Sequence, residues 1–547
     1  MSPQTRGGHL TPSHSGAGGV WSDRRSSGDH EIRSLKRENK RRPPGLLTSL
    51  TPVIHTPQSS KTSRAISPSR IYALNDAPIR PERNYIVYWM TSARRLHYNF
   101  AIQHAVERAR ELGRPLIVFE ALRCGYEHAS DRLHAFVLQG MAEHAAALRT
   151  SRARYYAYVE PEDGAGSGLL AALARDACVI VGDWSPAFFL PRMLAAAARQ
   201  VDVRLEAVDS NGILPVADAG RAIPMAHGFR SHLQRSLRAQ LHAWPAANPL
   251  DDLPAARRTA IPPAVLERWP AADRATLAGR TLSSLPIDHG VAPVPVRGGT
   301  RAARERLAHF VDHGLARYGE DHNQPEQDAT SRLSPWLHFG HLSVHEVFER
   351  VMSHERWTSR RLGTSARGAR EGWWQVSASA ESFLDELITW RELALNTAAF
   401  LPGYTRFDSL PEWSRTTLDA HRRDPRAHRY TRNRLETAAT HDPLWNAIQR
   451  QLARDGWFHG YLRMLWGKKI LEWSAAPEAA LKTMAWLMNR YSLDGRGSNA
   501  WAGYSWVLGR YDRPWPEREI FGTVRYMSSA NTARKLKIKK YLAAYAG

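Results

Sequence analysis

The amino-acid sequence predicts an α/β domain followed by an all-α domain in one chain. From residue 81 to 210, short apolar runs alternate with segments of helical periodicity, which is typical of a doubly wound parallel, Rossmann-like sheet. From residue 301 to 547, almost every periodic segment has the period of a helix. Apolar runs never approach the roughly 18 residues of a transmembrane helix, so neither domain is expected to cross a membrane.

The α/β prediction depends on five apolar runs that fit strands buried on both faces: 85–90, 115–120, 154–159, 178–182 and 204–208. Helical periodicity separates them at 99–112, 130–150, 169–175 and 191–200. Sheets of this kind bind ligands at the carboxyl ends of their strands. The first strand is not followed by GxGxxG, so a dinucleotide on this domain is not supported.

Residues 211–300 are rich in Pro and Ala and predict a connection with short helices. The predicted helices of the second domain are 301–318, 344–353, 377–399, 442–455, 458–474 and 477–491. They share no repeat period, which disfavours a solenoid. A helical domain of this size is large enough to enclose a cofactor.

The charge of the chain predicts a polyanionic partner, with nucleic acid as the first candidate. The net charge is +22 and the isoelectric point is about 10.3. Residues 1–80 are rich in Ser, Pro, Gly and Arg and predict a disordered basic tail. The body is basic as well, for example at 421–429 and 535–540. The N-terminus has no apolar signal-peptide core, which predicts a cytosolic protein.

Several kinds of chemistry lack a sequence signature. Cys124 and Cys178 lie far apart and are expected to be buried, so they predict neither a disulfide framework nor a zinc site. The histidines are scattered, and spacings such as His341/His345 are expected by chance, so no metal site is predicted. There is no P-loop, cysteine nucleophile or Ser/His/Asp order that would indicate hydrolysis.

Three tryptophans stand close together in sequence among basic residues. Trp466 and Trp473 are seven residues apart and therefore share one face of a helix, and Trp445 precedes them. Lys468 and Lys469 lie between Trp466 and Trp473. Tryptophans at helical spacing are usually core residues, so at this point packing and function both remain open.

The run Thr330-Ser-Arg-Leu-Ser334 combines hydroxyl groups with an arginine just before a helix start that Pro335 marks. Hydroxyls, an arginine and free backbone N–H groups suit a phosphate or pyrophosphate. The alternative is an ordinary serine cap of a helix.

Glu386 and Trp390 are four residues apart on a predicted helix and face the same way. A carboxyl acceptor beside a stacking plane suits a nucleobase, whereas the plain alternative is an exposed helix face. Arg463 can pair with Asp494, the nearest later acid, in either a functional or a structural ion pair.

Trp506 and Trp515 bracket Arg510 and Arg513. Aromatic rings interleaved with arginines suit nucleic acid, because bases stack on the rings and phosphates pair with the guanidinium groups.

Taken together, three long motifs resemble those of the class II photolyases. They are Thr330-Ser-Arg-Leu-Ser-Pro-Trp-Leu-His-Phe-Gly340, Thr440-His-Asp-Pro-Leu-Trp-Asn-Ala447 and Leu465-Trp-Gly-Lys-Lys-Ile-Leu-Glu-Trp473. Asp512-Arg-Pro-Trp and Arg525-Tyr-Met-Ser are similar to that family too, so the resemblance covers roughly residues 80–547.

The resemblance implies a monomeric DNA repair enzyme whose helical domain binds FAD. It implies that the light-excited reduced flavin passes an electron to a cyclobutane pyrimidine dimer flipped out of the duplex. It also allows a second, antenna chromophore, of unknown identity, in the α/β domain. Two other readings stay open: a cryptochrome-like photoreceptor without repair activity, and a flavin-free nucleic-acid-binding protein.

By the same resemblance, residues acquire expected roles. The flavin-binding residues are expected to be Tyr318, Thr330, Ser331, Arg332, Leu333, Ser334, Arg463, Met488 and Asp494. Glu386 is expected to hydrogen-bond the dimer, and the walls and DNA contacts are expected to be Trp390, Met464, Trp506, Arg510, Arg513 and Trp515. An electron relay is expected to run from Trp466, nearest the flavin, through Trp445 to Trp473 near the surface. Lys468 and Lys469 are expected to face DNA.

The chain departs from the family pattern at Met488, where the family has an asparagine close to flavin N5. A thioether cannot replace the hydrogen bond of an amide. A shift of the neighbouring Asn489 would be one way to compensate. The segment between Trp506 and Trp515 is also one residue shorter than the resemblance leads us to expect.

Overall fold

The computed structural model describes residues 65–255 and 258–547, and residues 1–64 of the predicted tail lie outside that part. Six strands form one sheet: β1 Ile71–Ala73, β2 Tyr85–Met90, β3 Leu116–Leu122, β4 Arg154–Val159, β5 Ala177–Trp184 and β6 Leu205–Asp209. The helices that alternate with them are α1 Phe100–Leu112, α2 Asp131–Ala147, α3 Leu169–Ala174 and α4 Leu190–Gln200.

The sheet has the strand order β1-β6-β5-β2-β3-β4, and only β1 runs antiparallel to its neighbour. Every residue of β2 and β5 is buried, because helices cover both faces of the sheet. This confirms the doubly wound α/β prediction. The chain direction across the sheet reverses between β2 and β5, which makes their carboxyl ends the natural place for a ligand.

One sequence prediction is wrong at β1. Residues 71–73 fall in the stretch expected to be disordered, yet they pair with β6 through Ile71 opposite Val208. The sequence Ile71-Tyr72-Ala73 is too short to show a period, so only the tertiary pairing identifies it as a strand.

Helices dominate the rest of the chain. Those before residue 411 are α5 Ala226–Gln240, α6 Pro263–Arg268, α7 Arg274–Leu277, α8 Thr300–His309, α9 Tyr318–Asp321, α10 Ser334–Phe339, α11 Val344–His354, α12 Ala378–Leu384 and α13 Arg391–Phe400. Those after it are α14 Glu412–Ala420, α15 Arg432–Glu436, α16 Pro443–Asp455, α17 Gly460–Trp473, α18 Pro477–Tyr491, α19 Ser498–Val507, α20 Ser529–Lys535 and α21 Lys539–Ala544. The large helical domain is thereby confirmed, while the domain boundaries themselves stay predictions.

Two helices predicted as continuous are interrupted by π turns. Phe310–Gly314 breaks the first, and Asp385–Trp390 separates α12 from α13 in the second. A π turn inserts a residue into a helix without ending it, so the hydrophobic period alone does not reveal it.

Within the described ranges, no helix is both long enough and apolar enough to cross a membrane. Cys124 and Cys178 are buried and free, as their sequence context predicts.

Candidate functional site

A cavity of about 1270 Å³ opens where β2 and β5 end, at the reversal point of the sheet. Thr91 and Ser92 follow β2 and line it, and Ser185 follows β5. Asp183 of β5 fixes the turn after β2, because its Oδ2 accepts hydrogen bonds from the backbone N–H groups of residues 91–93 at 2.8–2.9 Å. The cavity continues into the helical domain, so both domains build its walls.

The cavity wall is strongly basic. Among the described residues, nine arginines and three carboxylates line it. The volume exceeds the roughly 300–1,000 Å³ that typical ligand pockets enclose. A cavity of this size and charge suits an anionic cofactor together with a second molecule.

The helical end of the cavity contains the predicted ion pair. Arg463 donates from Nη2 to Asp494 at 3.2 and 3.3 Å, and both residues line the cavity. Burial alone would raise the pKa of Asp494, but Arg463 and the hydroxyl of Ser492 hold it below its usual value. The carboxylate therefore stays ionised and keeps Arg463 in place.

Arg496 lies beside this pair and also lines the cavity. Its Nη1 donates to the carbonyl of Asn489 at 3.0 Å, and its Nη2 lies 3.4 Å from Nε2 of His338. Burial, and then the charge of Arg496, lowers the pKa of His338 to about 3, so its ring is neutral at physiological pH.

The hydroxyl-rich loop reaches the cavity at two of its five predicted positions, Ser331 and Ser334. Arg306 fixes the loop by donating to the carbonyls of Thr330 and Ser331 at 2.7 and 2.9 Å. Arg332 has a left-handed backbone with φ 53° and turns its guanidinium over the Trp457 ring.

Thr330, Arg332 and Leu333 are not part of the cavity wall, and Leu333 is buried in the core. Tyr318, predicted as a further contact, does line the cavity and stacks on His322.

Glu386 and Trp390 line one wall together, on the π turn between α12 and α13. The side chain of Glu386 is exposed, and it opens into the cavity. Desolvation by the protein atoms around the cavity, and then the charge of Asp385, raises the pKa of Glu386 to about 7. Near neutral pH the group can therefore carry a proton and donate a hydrogen bond.

Met464 and Trp506 line the cavity near this wall, as predicted. Arg525 also lines it and lies between two rings, with its guanidinium carbon 4.7 Å from the Trp515 ring and 5.8 Å from the Trp506 ring. Arg513 is exposed and lies over Trp515 at 5.8 Å. Trp506, Trp515 and Arg513, which were predicted from this segment, therefore do come together.

Arg510 requires a correction. It is only 6% exposed, and its Nη2 donates to the carbonyl and hydroxyl of Ser409 at 2.9 and 2.8 Å. Its burial argues against the predicted contact with DNA and makes it an anchor for the loop at Ser409.

The three tryptophans form a continuous chain of rings. Trp445 is parallel to Trp466 with ring centres 6.5 Å apart, and it meets Trp473 edge-on at 5.4 Å. Its Nε1 donates to the carbonyl of Trp466 at 3.1 Å. Trp466 lies one turn after Arg463 on α17, so its end of the chain is next to the cavity wall. The predicted position of Trp445 between the other two is confirmed.

The surface end of the chain differs from the expectation. Trp473 is only 2% exposed, because Tyr430 and His441 cover it with ring centres 5.2 and 5.5 Å away. The hydroxyl of Tyr430 bonds to Nδ1 of His441 at 2.6 Å. Solvent is thus one aromatic layer beyond Trp473.

The two lysines of α17 do not face DNA as expected. Lys468 is completely buried, and its Nζ donates to the carbonyl of Val507 at 2.6 Å. Burial lowers its pKa to about 7. Lys469 pairs with Glu472 at 2.9 Å. Both side chains are therefore used in contacts within the protein.

Met488 is fully buried in the hydrophobic cluster of Trp466 and is not part of the cavity wall. Asn489 does not shift to replace it. Its Oδ1 accepts hydrogen bonds from the backbone N–H of Arg496 at 2.8 Å and from the hydroxyl of Tyr504 at 3.3 Å. No amide therefore occupies the position where the family pattern has one.

Many residues of the wall were not identified as site residues from the sequence, among them Asn323, His338, Arg496 and Arg525. Arg525 and His338 fall inside motifs that resemble those of the family, so the sequence offered a way to identify them. Asn323 and Arg496 reach the cavity only through the tertiary fold.

The chain is similar to curated photolyases over most of its length. It is 33% identical over 479 residues to a deoxyribodipyrimidine photo-lyase of Methanothermobacter thermautotrophicus, covering 87% of this chain and 98% of that protein. It is 34% identical over 478 residues to a deoxyribodipyrimidine photo-lyase of Oryza sativa subsp. japonica, covering 84% and 86%. No family model matches the chain.

Solved structures share the fold. A class III photolyase from Agrobacterium tumefaciens aligns with a TM-score of 0.61 at 17% identity, over 85% of this chain and 86% of that one. A cryptochrome from Synechocystis sp. PCC6803 aligns with a TM-score of 0.58 at 15% identity, over 84% and 88%. At 33–34% identity over nearly the full length of the curated relatives, the chain belongs to the deoxyribodipyrimidine photo-lyase family.

Proposed function

We propose that this protein uses light to repair cyclobutane pyrimidine dimers in DNA, with FAD as its cofactor. The observation that carries the proposal is the shared cavity. One end holds the Arg463–Asp494 pair, and a wall of the same cavity presents Glu386, Trp390 and Met464. A cofactor and a flipped-out pyrimidine dimer can therefore lie next to each other.

The residues present fit FAD. The basic wall suits a pyrophosphate and an anionic flavin, and the arginines offer charge-assisted hydrogen bonds. Among the described residues that line the cavity, Arg463 has a buried Nε without a hydrogen-bond partner, which an added ligand would supply. We assign Arg463, Asp494, Ser331, Ser334 and Tyr318 to holding the cofactor.

When bound in its reduced form, FAD supplies an electron after excitation by blue or near-ultraviolet light. Glu386 would hydrogen-bond the dimer and polarise it for the arriving electron. Because its pKa is about 7, a proton on this carboxyl is available near neutral pH. Trp390, Met464 and Trp506 would form the apolar walls that stack on the unpaired bases.

Arg525, Arg513 and Trp515 are suited to the DNA at the mouth of the cavity. Arg525 is exposed and stacked between two indole rings, so its guanidinium is held ready for a phosphate or a base. Gripping bent DNA here offsets the cost of unstacking the lesion.

Trp466, Trp445 and Trp473 provide a path of oxidisable rings from near the surface to the cavity wall. Neighbouring ring centres are only 6.5 and 5.4 Å apart. An electron moving inward along this path would restore the reduced cofactor.

A second, light-harvesting chromophore is proposed for the α/β end of the cavity, where Trp89, Phe119 and Tyr158 supply aromatic surface. Its identity is not assigned. The monomeric state and the cytosolic location stay predictions from the sequence.

A photoreceptor without repair activity has no need for a dimer pocket. Glu386, Trp390 and Met464 line one cavity, which favours repair over that alternative. The cavity wall is basic, and the buried Nε of Arg463 in it lacks a hydrogen-bond partner. Both observations favour a flavoprotein over a flavin-free DNA-binding protein.

Two measurements test the proposal. The absorption spectrum of the purified protein should show flavin bands, and their absence after loading with FAD would overturn both light-driven functions. A thymine-dimer oligonucleotide should be repaired under blue light and not in the dark. Flavin binding without repair would instead support a photoreceptor.

A further inference from the structure

Residues 356–367 carry a concentration of arginine on the surface that the proposed site does not use. Arg356, Arg360, Arg361 and Arg367 are all exposed. Arg235 and Arg238, on the adjoining helix α5, are exposed as well. We call these six residues the arginine platform.

The platform is held rigidly. Ser231, Gln234 and Arg238 of α5 bind the segment through the carbonyls of Ala366, Ala369 and Leu362 at 2.7–2.9 Å. Gln234 Oε1 also accepts from the backbone N–H of Gly368 at 2.7 Å. A rigid surface loses little conformational freedom when a partner binds.

Two glycines let the segment lie this close to its support. A Cβ on Gly368, which has φ +79°, would be 2.6 Å from the carbonyl oxygen of His227. A Cβ on Gly363 would be 2.9 Å from the Trp373 ring. The loop therefore packs against its neighbours while its arginines project from the surface.

The platform lacks matching acids. Within the described ranges, none of Arg356, Arg360, Arg361 and Arg367 forms an ion pair with a carboxylate. The nearby Glu355 is already used, because both its oxygens accept from Ser377 at 2.8 and 2.9 Å. Unpaired arginines on a rigid surface favour an anionic partner.

The platform adjoins the cavity wall that presents Glu386. Arg370 follows it in the chain, lines the cavity and lies 3.8 Å from Asp385. Arg230 on α5 lines the cavity too and binds the same carboxylate at 2.7 and 2.8 Å. A chain of guanidinium groups thus leads from the cavity across the neighbouring surface.

We propose that the arginine platform binds the phosphate backbone of the duplex beside the lesion, independently of base sequence. This deepens the proposed function, on which it depends. B-DNA offers one negative charge per roughly 1.7 Å of axis, so a row of guanidinium forks can meet successive phosphates. Arg525 and Trp515 would hold the DNA at the cavity, and the platform would hold the adjoining duplex.

The test replaces Arg360, Arg361 and Arg367 with Gln together, and measures binding to a duplex of about 30 base pairs with a central thymine dimer. Its matched control replaces Arg110, Arg149 and Arg175 with Gln, which are exposed arginines of the α/β domain outside the cavity. Both variants lose three positive charges, so the total charge of the protein changes equally.

We expect the platform variant to bind the duplex roughly tenfold or more weakly at 0.1 M salt. The slope of the logarithm of the binding constant against the logarithm of the salt concentration should become less steep by up to about 2.7. Damaged and undamaged duplexes should weaken by the same factor. Arg→Lys replacements at the three positions should restore most of the binding, because charge is kept. Equal affinity and salt dependence for the platform and control variants would overturn the proposal.

Repair of an isolated dinucleotide that carries a thymine dimer tests the proposed function without testing the arginine platform. Both variants and the parent should repair it equally under saturating light, because the dinucleotide is too short to reach the platform. If the parent itself repairs no dimer, the proposed function fails, whereas the duplex affinities still decide the role of the platform.

Discussion

Glu386 is exposed to the cavity and has a pKa near neutrality, because desolvation by the surrounding protein atoms and the charge of Asp385 disfavour its ionised form. The group is protonated below about pH 7 and loses its proton as the pH rises through that value. If the protonated carboxyl donates to the dimer, repair under saturating light should fall above pH 7. Replacing Glu386 with Gln should flatten this pH profile, since an amide donates at every pH.

Replacing Glu386 with Ala should slow repair about tenfold to hundredfold, as expected for the loss of a hydrogen bond worth about 1.5–3 kcal/mol. The flavin spectrum should remain, because Glu386 is assigned to the substrate wall. A pH profile that Gln leaves unchanged would show that another group titrates.

Replacing Met488 with Asn tests whether the side chain at this position contacts the bound flavin. An asparagine there would bury an amide among apolar residues and should lower the free energy of unfolding by about 1–3 kcal/mol in FAD-free protein. If the flavin supplies a partner, the loss should shrink in FAD-loaded protein. Denaturant unfolding with and without FAD measures both.

Met484 provides the control, since it is also fully buried on α18 in the same cluster. Met484→Asn should cost the same with and without FAD. An equal cost for Met488→Asn in both states would mean that position 488 does not contact the flavin.

Prediction from the sequence was least accurate for charged side chains that are buried in the structure. Lys468 and Arg510 belong to residue types that are almost always exposed, so their burial contradicts the ordinary expectation. Only the tertiary fold provides their partners, the carbonyls of Val507 and Ser409. By contrast, Arg463 and Asp494 were paired correctly, because the motifs set both positions.

Elements with clear end signals were predicted well. Strands 85–90 and 154–159 have the expected bounds. Helix α1 begins after Asn99, which caps it, and ends at Gly113 in the left-handed region. The π turn at 385–390 was not predicted, because its inserted residue is compatible with helical periodicity on both sides.

Helices α16 and α17 together position the ring chain, and removing its inner ring should interrupt it. Trp466→Phe should abolish photoreduction of the oxidised flavin, since a phenyl ring is far harder to oxidise than indole. Repair by chemically reduced enzyme should continue. Flavin absorption under blue light measures the first, and repair of a dimer oligonucleotide measures the second.

Trp486→Phe is the matched control, because Trp486 lies on the adjacent helix α18 and stacks on Arg432 and Arg490 outside the ring chain. It should photoreduce normally. Normal photoreduction by Trp466→Phe would refute the relay. Trp466→Phe also leaves Oε1 of Gln449 without its hydrogen-bond donor, so the free energy of unfolding of this variant should be compared with that of the parent.

At the scale of the whole molecule, the cavity depends on how the two domains meet. Periodicity predicts each domain alone but contains no information on their contact. They approach closely at Gly340, since a Cβ there would lie 1.9 Å from the carbonyl oxygen of Ser92, in the turn after β2. Ser92 itself lines the cavity.

Replacing Gly340 with Ala should therefore separate the turn after β2 from the helical domain. The left-handed backbone, with φ +76°, costs about 1 kcal/mol for any residue with a Cβ, and the clash with Ser92 adds to it. Gly372→Ala is the control, because Gly372 has φ +80° with open space around its Cβ. We expect Gly340→Ala to lower the free energy of unfolding by clearly more than Gly372→Ala and to weaken FAD binding. Equal losses in both variants would mean that the two domains adjust without strain.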